Sequence, residues 1–418
     1  MNRTSVSGVA PGRASARFIA IYATAYATLW LALLTPAIIS LALRIQQLAP
    51  ANAAKSISWV LMTGALVALV SNPVFGALSD RTRSRFGRRR PWLVGGVLCG
   101  CAALAVIGLA PTVNIVLLGW CLAQLAYNAV LASLVAIIPD RIPPAQRGTV
   151  VGILGVCMPV GQITGTYLVQ LLAFNTTWML VVPGLIGMAG VLLLVFVLPE
   201  EVRAADYPAG MHPATPVPAP AALSQPPDHR DFSWAWLSRV LFTTGSSFLQ
   251  AYQPLFLLEK LGFDPADVPR LIFRSTLVGA VMVVVWSLIA GRLSDRTGRR
   301  KPFVMAGSVI QGLGLWLIAT SSSYTMLLFG VALTGMGHGV YEGVDLALVT
   351  DVLPDRDQHA AKDLGLLNIA NTLPQVIAPL CAPLILAVSH GDYTLLFAVA
   401  GAVAVLGAAV LAPLKKVR

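Results

Sequence analysis

The chain has 418 residues, 56% of them hydrophobic and only 11% charged, with a formal net charge of +11. An average soluble protein is roughly 25% charged, and a soluble chain this poor in charge would expose large apolar patches and aggregate. The composition excludes a soluble enzyme and a free nucleic-acid-binding module, and at about 20 apolar residues per crossing the chain has room for about a dozen membrane helices.

Met1 to Arg17 is polar and lacks the short apolar core and small-residue cleavage site of a secretory signal, so the first apolar stretch is expected to remain as a span. Twelve such stretches follow one another. In the first half they run over about 17–45, 57–79, 92–111, 114–139, 149–173 and 177–198. In the second they run over about 234–259, 270–293, 302–320, 325–353, 364–388 and 393–413. Between the sixth and seventh lies PAGMHPATPVPAPAALSQPP, whose proline density suits an extended tether. The expected organisation is an N-terminal six-helix bundle over 1–198, a cytoplasmic Pro/Ala-rich linker over 199–233 and a C-terminal six-helix bundle over 234–418. Cys99, Cys101, Cys121, Cys157 and Cys381 all fall inside apolar stretches and read as small buried hydrophobes. Cys99-x-Cys101 lacks the spacing and companions of a metal site, so neither metal nor cofactor is expected.

The basic residues are placed unevenly. Arg81, Arg83, Arg85, Arg88, Arg89 and Arg90 fill the 2–3 loop, and Arg292, Arg296, Arg299, Arg300 and Lys301 fill or flank the 8–9 loop. Arg141 and Arg147 sit in 4–5, Arg356 and Lys362 in 10–11, and Lys415, Lys416 and Arg418 at the end. The 3–4, 5–6, 9–10 and 11–12 loops contain no Lys or Arg. The positive-inside rule then puts both termini in the cytoplasm of a multi-pass plasma (inner) membrane protein. The positive charge is a topology signal, and no nucleic-acid partner is expected.

An internal repeat is legible. Gly76-Ala-Leu-Ser-Asp80-Arg-Thr82 recurs as Gly291-Arg-Leu-Ser-Asp295-Arg-Thr297. Pro139-Asp140-Arg141 recurs as Pro354-Asp355-Arg356, and Pro159 as Pro374, all at the same offset (80 and 295, 139 and 354, 159 and 374). Because each unit has an even number of spans, the two halves share an orientation.

The loop motif is similar to G-x-L-x-D-R-x-G-R-R/K, the signature of the major facilitator superfamily. Here GALSDRTRSRFGRRRP carries four extra residues before Gly87. That longer form resembles the glycoside–pentoside–hexuronide cation symporters and their sucrose–proton relatives, as does VDLALVTDVLP…AKDLGLLNIANTLPQ. The resemblance implies an all-α integral membrane protein with 12 transmembrane helices in two six-helix bundles around a central cavity. It also implies that Asp80, Arg81 and Arg88 in one half and Asp295 and Arg296 in the other latch the halves together on the cytoplasmic side in the outward-open state. Gly76 and Gly291 would permit close helix approach.

Spans 3, 6 and 12 are almost purely aliphatic, whereas spans 1, 4, 5, 7, 10 and 11 carry the amides, hydroxyls, aromatics and acids. Polar groups facing lipid are costly, so these six spans should line a common interior. At about 1.5 Å per residue, Tyr26 and Trp30 fall near the midplane of span 1, Gln124, Tyr127 and Asn128 in span 4, and Gln162 in span 5. Span 7 adds Thr243, Ser247 and Gln250, and span 11 adds Asn368, Asn371, Thr372 and Gln375 as a stripe. Amides beside aromatic faces suit a sugar, whose hydroxyls need donors and acceptors while its C–H faces stack on rings. The same residues also read as interhelical hydrogen bonds.

The acids are sharper. Before Glu200 only Asp80 and Asp140 are acidic, and both lie in loops. In span 10, His338, Glu342 and Asp345 share one helix face, with Glu342 deepest. A low-dielectric interior favours the neutral carboxyl, which suits a proton carrier. The alternative is a fixed ion pair with Arg239 or Arg274. Sodium-coupled relatives carry acids in the early spans, and spans 1, 2 and 4 have none, so proton coupling is expected. The reading is a monomeric symporter of a small solute, most simply a sugar, with H+. The rival is a drug or metabolite–proton antiporter, although GILGVCMPVGQITG in span 5 lacks the Gly-Pro pair usual there. A membrane sensor is disfavoured by the lack of a soluble domain in the chain. With no nucleotide loop or catalytic triad, no enzyme activity is expected.

Overall fold

A computed structural model describes residues 14–198, 229–352 and 369–413. Residues 199–228 of the expected linker, Asn368, the 10–11 loop with Arg356 and Lys362, and the last basic residues lie outside the described residues, while 229–233, expected in the linker, are already helical. The first bundle holds α1 (Ala16–Leu48), α2 (Ala53–Arg81), α3 (Arg90–Leu109), α4 (Val113–Arg141), α5 (Pro144–Leu171) and α6 (Thr176–Val197). The second holds α7 (His229–Leu255), α8 (Val268–Thr297), α9 (Lys301–Ala319), α10 (Tyr324–Val352), α11 (Ile369–Val388) and α12 (Tyr393–Val410). Among the described residues ten helices are long and apolar enough to cross a membrane. The ten omit α7 and α10, the helices that carry Arg239, His338, Glu342 and Asp345.

Local chemistry sets the helix ends. Ser15 accepts the Phe18 N–H at the start of α1, Asn175 accepts those of Thr177 and Trp178 at α6, and Asp392 accepts that of Thr394 at α12. These side chains satisfy first-turn donors that have no partner within the helix. Prolines open α3, α5, α8 and α9, where a missing N–H costs nothing. The first helix of each bundle also carries a π-helical turn far from the arginine-rich loops, Pro36–Ser40 in α1 and Phe256–Lys260 after α7. Pro36 and Pro254 cannot donate to the helical ladder, which lets it slip there.

The packing repeats. In the first bundle α1 lies against α5 and α6, α2 against α4, and α3 against α4 and α6. In the second α7 lies against α11 and α12, α8 against α10, and α9 against α10 and α12. Each pair has its counterpart six helices on, as a parallel repeat requires. The bundles touch mainly through α2 with α11 and α5 with α8, which are themselves counterparts.

Where the bundles meet decides which way the molecule opens. On the face opposite the arginine-rich loops, Tyr252 and Ser58 share a hydrogen bond of 2.6 Å across the halves. Nearby, the Tyr167 and Phe273 rings lie 5.2 Å apart. One buried core runs through both bundles there, whereas Phe242, Val304, Tyr341 and Val344 form a separate core in the second bundle. Toward the arginine-rich face α5 is covered on one stripe only, Val150, Leu154 and Cys157. A methyl group added at Gly148, Gly152 or Gly155 would meet nothing within 4 Å. The molecule is closed on the far face and open toward the arginine-rich one.

Candidate functional site

The second bundle supplies the charged wall. Arg239, Thr243, Ser247 and Gln250 fall on one arc of α7. Arg239 is ion-paired with Asp345 of α10 and donates from Nε to Asn371 Oδ1 of α11 at 2.9 Å. Thr243 Oγ1 is 3.1 Å from Ala370 O, so α7 is stitched to α11 twice. One turn deeper, Ser246 lies 3.3 Å from His338 Nδ1 and from Gln311 Oε1 of α9, and Gln311 donates to Phe242 O at 2.9 Å. Phe242 stacks on Tyr341 with centroids 3.7 Å apart.

Helix α10 is held by its backbone on both flanks. A Cβ at Gly335, Gly339 or Gly343 would lie 2.7, 2.4 or 2.5 Å from carbonyl oxygens of α8, and one at Gly337 would lie 2.4 Å from Gln311 N of α9. His338, Glu342 and Asp345 occupy the arc between those contacts, opposite Phe329, which is exposed to the outside. Glu342 therefore faces the interior, its side chain 43% exposed, with His338 Nε2 at 3.9 Å. Asp345 is only 2% exposed.

That arrangement reverses one expectation. Glu342 is the deeper acid and Asp345 lies nearer the arginine-rich face, yet Asp345 is sealed and Glu342 is exposed. The Arg239 side chain, itself 12% exposed, and the neighbouring Tyr341 lie against Asp345. In this structure its partner is Arg239. Arg274 is exposed near the far end of α8.

The first bundle supplies a neutral wall. Asn128 Nδ2 donates to Gln124 O at 2.8 Å, and Asn72 of α2 donates to Asn128 Oδ1 at 3.4 Å. Tyr26 and Trp30 form an edge-to-face pair at 6.2 Å that continues to Tyr22, whose hydroxyl donates to Leu134 O. Gln162 is half-buried, while Gln250 and Gln375 are exposed. Tyr127 departs from expectation. It is fully buried, its ring lying against Gly100 of α3 and its hydroxyl toward Gly184 of α6, because both glycines leave a slot for it. It is part of the packing inside the first bundle.

The loop residues of the first half are paired among themselves. Asp80 accepts from Arg89 at 2.6 Å, Arg89 also reaches Asp140 at 3.0 Å, and Arg88 pairs with Asp140 at 3.3 Å. All of these lie in the first bundle, so no described contact of Asp80 latches the two halves in this open form. A Cβ at Gly76 would meet nothing within 4 Å, whereas one at Gly291 would lie 3.3 Å from Gly343 O of α10, within its own bundle. Arg81, Asp295 and Arg296 are exposed.

A sequence profile described as Major Facilitator Superfamily matches residues 18–289 and 275–418. The chain belongs to the Major Facilitator Superfamily. It is a multi-pass membrane protein of that superfamily, similar in sequence both to sucrose transport proteins and to exporters. It is 29% identical over 151 residues to the bacillibactin exporter of Bacillus subtilis (strain 168), covering 35% of this chain and 36% of that one. It is 30% identical over 159 residues to sucrose transport protein SUT4 of Oryza sativa subsp. indica, covering 33% of this chain and 25% of that one. The matches thus span about a third or less of these curated relatives. The crystal structure of a D-xylose-proton symporter shares the fold, with a TM-score of 0.69 over 97% of this chain and 98% of that one at 17% identity. Within this superfamily member, sequence reasoning passed over Asn72, Ser246 and Gln311. Gln311 is a lone amide inside an apolar span, the signal that could have found it, whereas Asn72 stands beside Ser71 and Ser246 within the hydroxyl run from Thr243 to Ser247.

Proposed function

We propose that this protein is a proton-coupled symporter of a small polar solute, a sugar or glycoside. The proposal sets it in the inner membrane as a monomer, with both termini and the arginine-rich face cytoplasmic. Residues 1–198 rock against 234–418 about a midplane site, with 199–233 as the tether, so the structure described is the inward-open state. The observation that carries the reading is the unequal wall of the cavity. One side offers amides and aromatic rings without an acid, as a neutral polyhydroxylated solute needs. The other holds a hydrated carboxyl, Glu342, beside His338, while Asp345 is already neutralised by Arg239. In this scheme Glu342 exchanges the proton with His338 as its neighbour, Asp345–Arg239 fixes α10 to α7, and Tyr26, Trp30, Gln124, Asn128, Gln162, Ser247, Gln250, Asn371 and Gln375 contact solute. Gly76, Asp80, Arg81 and Arg88 with Gly291, Asp295 and Arg296 form the cytoplasmic latch of the opposite state.

A second reading is a drug or metabolite–proton antiporter, favoured by Glu342 itself, because a half-exposed carboxylate can pair with a cationic solute. Proteoliposomes separate the two. Labelled mono- and disaccharides should accumulate under an imposed proton gradient, and amphiphilic cations should not be expelled. Cation extrusion without sugar uptake would replace the first reading with the second.

A further inference from the structure

The repeat is interrupted in the 2–3 loop by an insert, and the insert has a surface consequence. In the second half the motif runs Asp295-Arg-Thr-Gly298, whereas in the first Arg83-Ser-Arg-Phe86 intervenes between Thr82 and Gly87. The neighbouring arginines are spent on structure: Arg89 on Asp80, Asp140 and Ser79, Arg88 on Asp140, and Arg90 on Leu198 O. The inserted ones are not. Arg83 and Arg85 are exposed and have no carboxylate partner among the described residues.

The insert is a defined turn. Ser84 accepts the Phe86 N–H through its side chain and the Gly87 N–H through its carbonyl, and Gly87 at φ 89° turns the chain back. A side chain would strain that conformation. Phe86 is thereby held outward, 56% exposed, with the Arg85 guanidinium 4.7 Å from its ring centre. The turn also sits at the level of the bilayer surface. Thr82, just before it, accepts from Trp92 Nε1 at 2.8 Å, and Trp92 packs on Phe75 at the ends of α2 and α3. Tryptophans of this kind mark the interface between headgroups and acyl chains.

We propose that Arg83, Arg85 and Phe86 form a docking element for anionic phospholipid headgroups. The two guanidiniums take the phosphate oxygens, and the Phe86 ring enters the boundary between headgroup and chain. An uncompensated basic pair beside an exposed ring at that depth complements an anionic leaflet. A soluble partner would have no use for a ring held at the bilayer edge. The element fixes the 2–3 loop, and with it Arg89, to the membrane, and it belongs to the first bundle only.

The test is a titration of phosphatidylglycerol or phosphatidylcholine into the full-length protein in detergent, with bound lipid counted by native mass spectrometry. Wild type should prefer phosphatidylglycerol. Arg83→Gln and Arg85→Gln should each lower the association constant of the tightest lipid by roughly fivefold at low salt. Arg83→Lys with Arg85→Lys should keep most of it, which guards against a misfolded loop as the cause. The preference should weaken as salt shortens the screening length to about 10 Å near 0.1 M. Equal binding of the two lipids, or wild-type phosphatidylglycerol binding by the double glutamine variant, overturns the proposal. Displacement by millimolar inorganic phosphate also overturns it, since it would make this a site for soluble anions. None of these outcomes depends on what the protein transports.

Discussion

Replacing Asp345 by Asn should cost far more stability than replacing Glu342 by Gln, although the two acids are three residues apart. Asp345 is 2% exposed and its partner Arg239 reaches it with a side chain 12% exposed, so the substitution leaves a buried guanidinium without its counter-ion. Breaking such a pair costs about 3–5 kcal/mol, and the Nε bond to Asn371 that survives puts the value here near the lower end. Glu342 is 43% exposed and 3.9 Å from His338, an interaction worth about 1 kcal/mol or less. Equilibrium unfolding of the purified protein in mixed micelles by added SDS would measure both. The double variant Arg239→Gln with Asp345→Asn should be more stable than the two single costs imply, by about 2 kcal/mol of coupling. Equal costs for Asp345→Asn and Glu342→Gln, or additive costs in the double variant, would refute the assignment of Asp345 as the fixed partner.

Three further outcomes follow from the packing. Ser58 Oγ already donates to Ala54 O at 2.6 Å, so its bond to Tyr252 is one in which the tyrosine hydroxyl donates. Tyr252→Phe should therefore loosen the far-face closure by about 1 kcal/mol, raising the reactivity of a cysteine placed on that face; unchanged labelling would remove the bond from the gate. Gly339→Ala puts a methyl 2.4 Å from Val283 O and should destabilise the protein by about 1–3 kcal/mol, whereas Gly152→Ala, with open space around it, should be close to neutral in the same unfolding assay. The Asp392 carboxyl is held down at about 2 by Lys260 and by the Thr394 N–H, against an ordinary 3.8. A lowered acid lends its stability above its unfolded value and loses it as the pH falls through the folded one. Asp392→Asn should thus remove a contribution of under about 1 kcal/mol, small because the group is exposed, that wild type loses between pH 4 and pH 2; a wild-type profile flat across that window would contradict this.

Much of the architecture was legible because lipid imposes a length on every crossing, and twelve apolar stretches map onto twelve helices. The repeat, read from Asp80 and Asp295 and from Pro159 and Pro374, reappears as the matched packing of α1–α6 and α7–α12. Azimuth was harder to read. In a helix whose lipid and protein faces are both apolar, spacing fixes depth but not direction. Tyr127 sat at the right depth and points into the α3–α6 slot, where only the glycines opposite it reveal its place. Burial of Asp345 beside a more exposed Glu342 goes with Arg239 from α7 and the neighbouring Tyr341, a cross-helix arrangement that leaves no mark in the local sequence. The Arg239 partnership was visible as one of two options, because charges inside a membrane must find each other. Choosing Arg239 over Arg274 needed the fold.

The most direct test of proton-coupled symport is proton movement itself. Wild-type protein in proteoliposomes without an imposed gradient should alkalinise the outer medium when a transported sugar is added outside, as solute and H+ enter together. Glu342→Gln should still exchange labelled for unlabelled sugar across the membrane but should move no protons and accumulate nothing against a gradient. Sugar entry without alkalinisation in wild type, or alkalinisation retained by Glu342→Gln, would contradict the account.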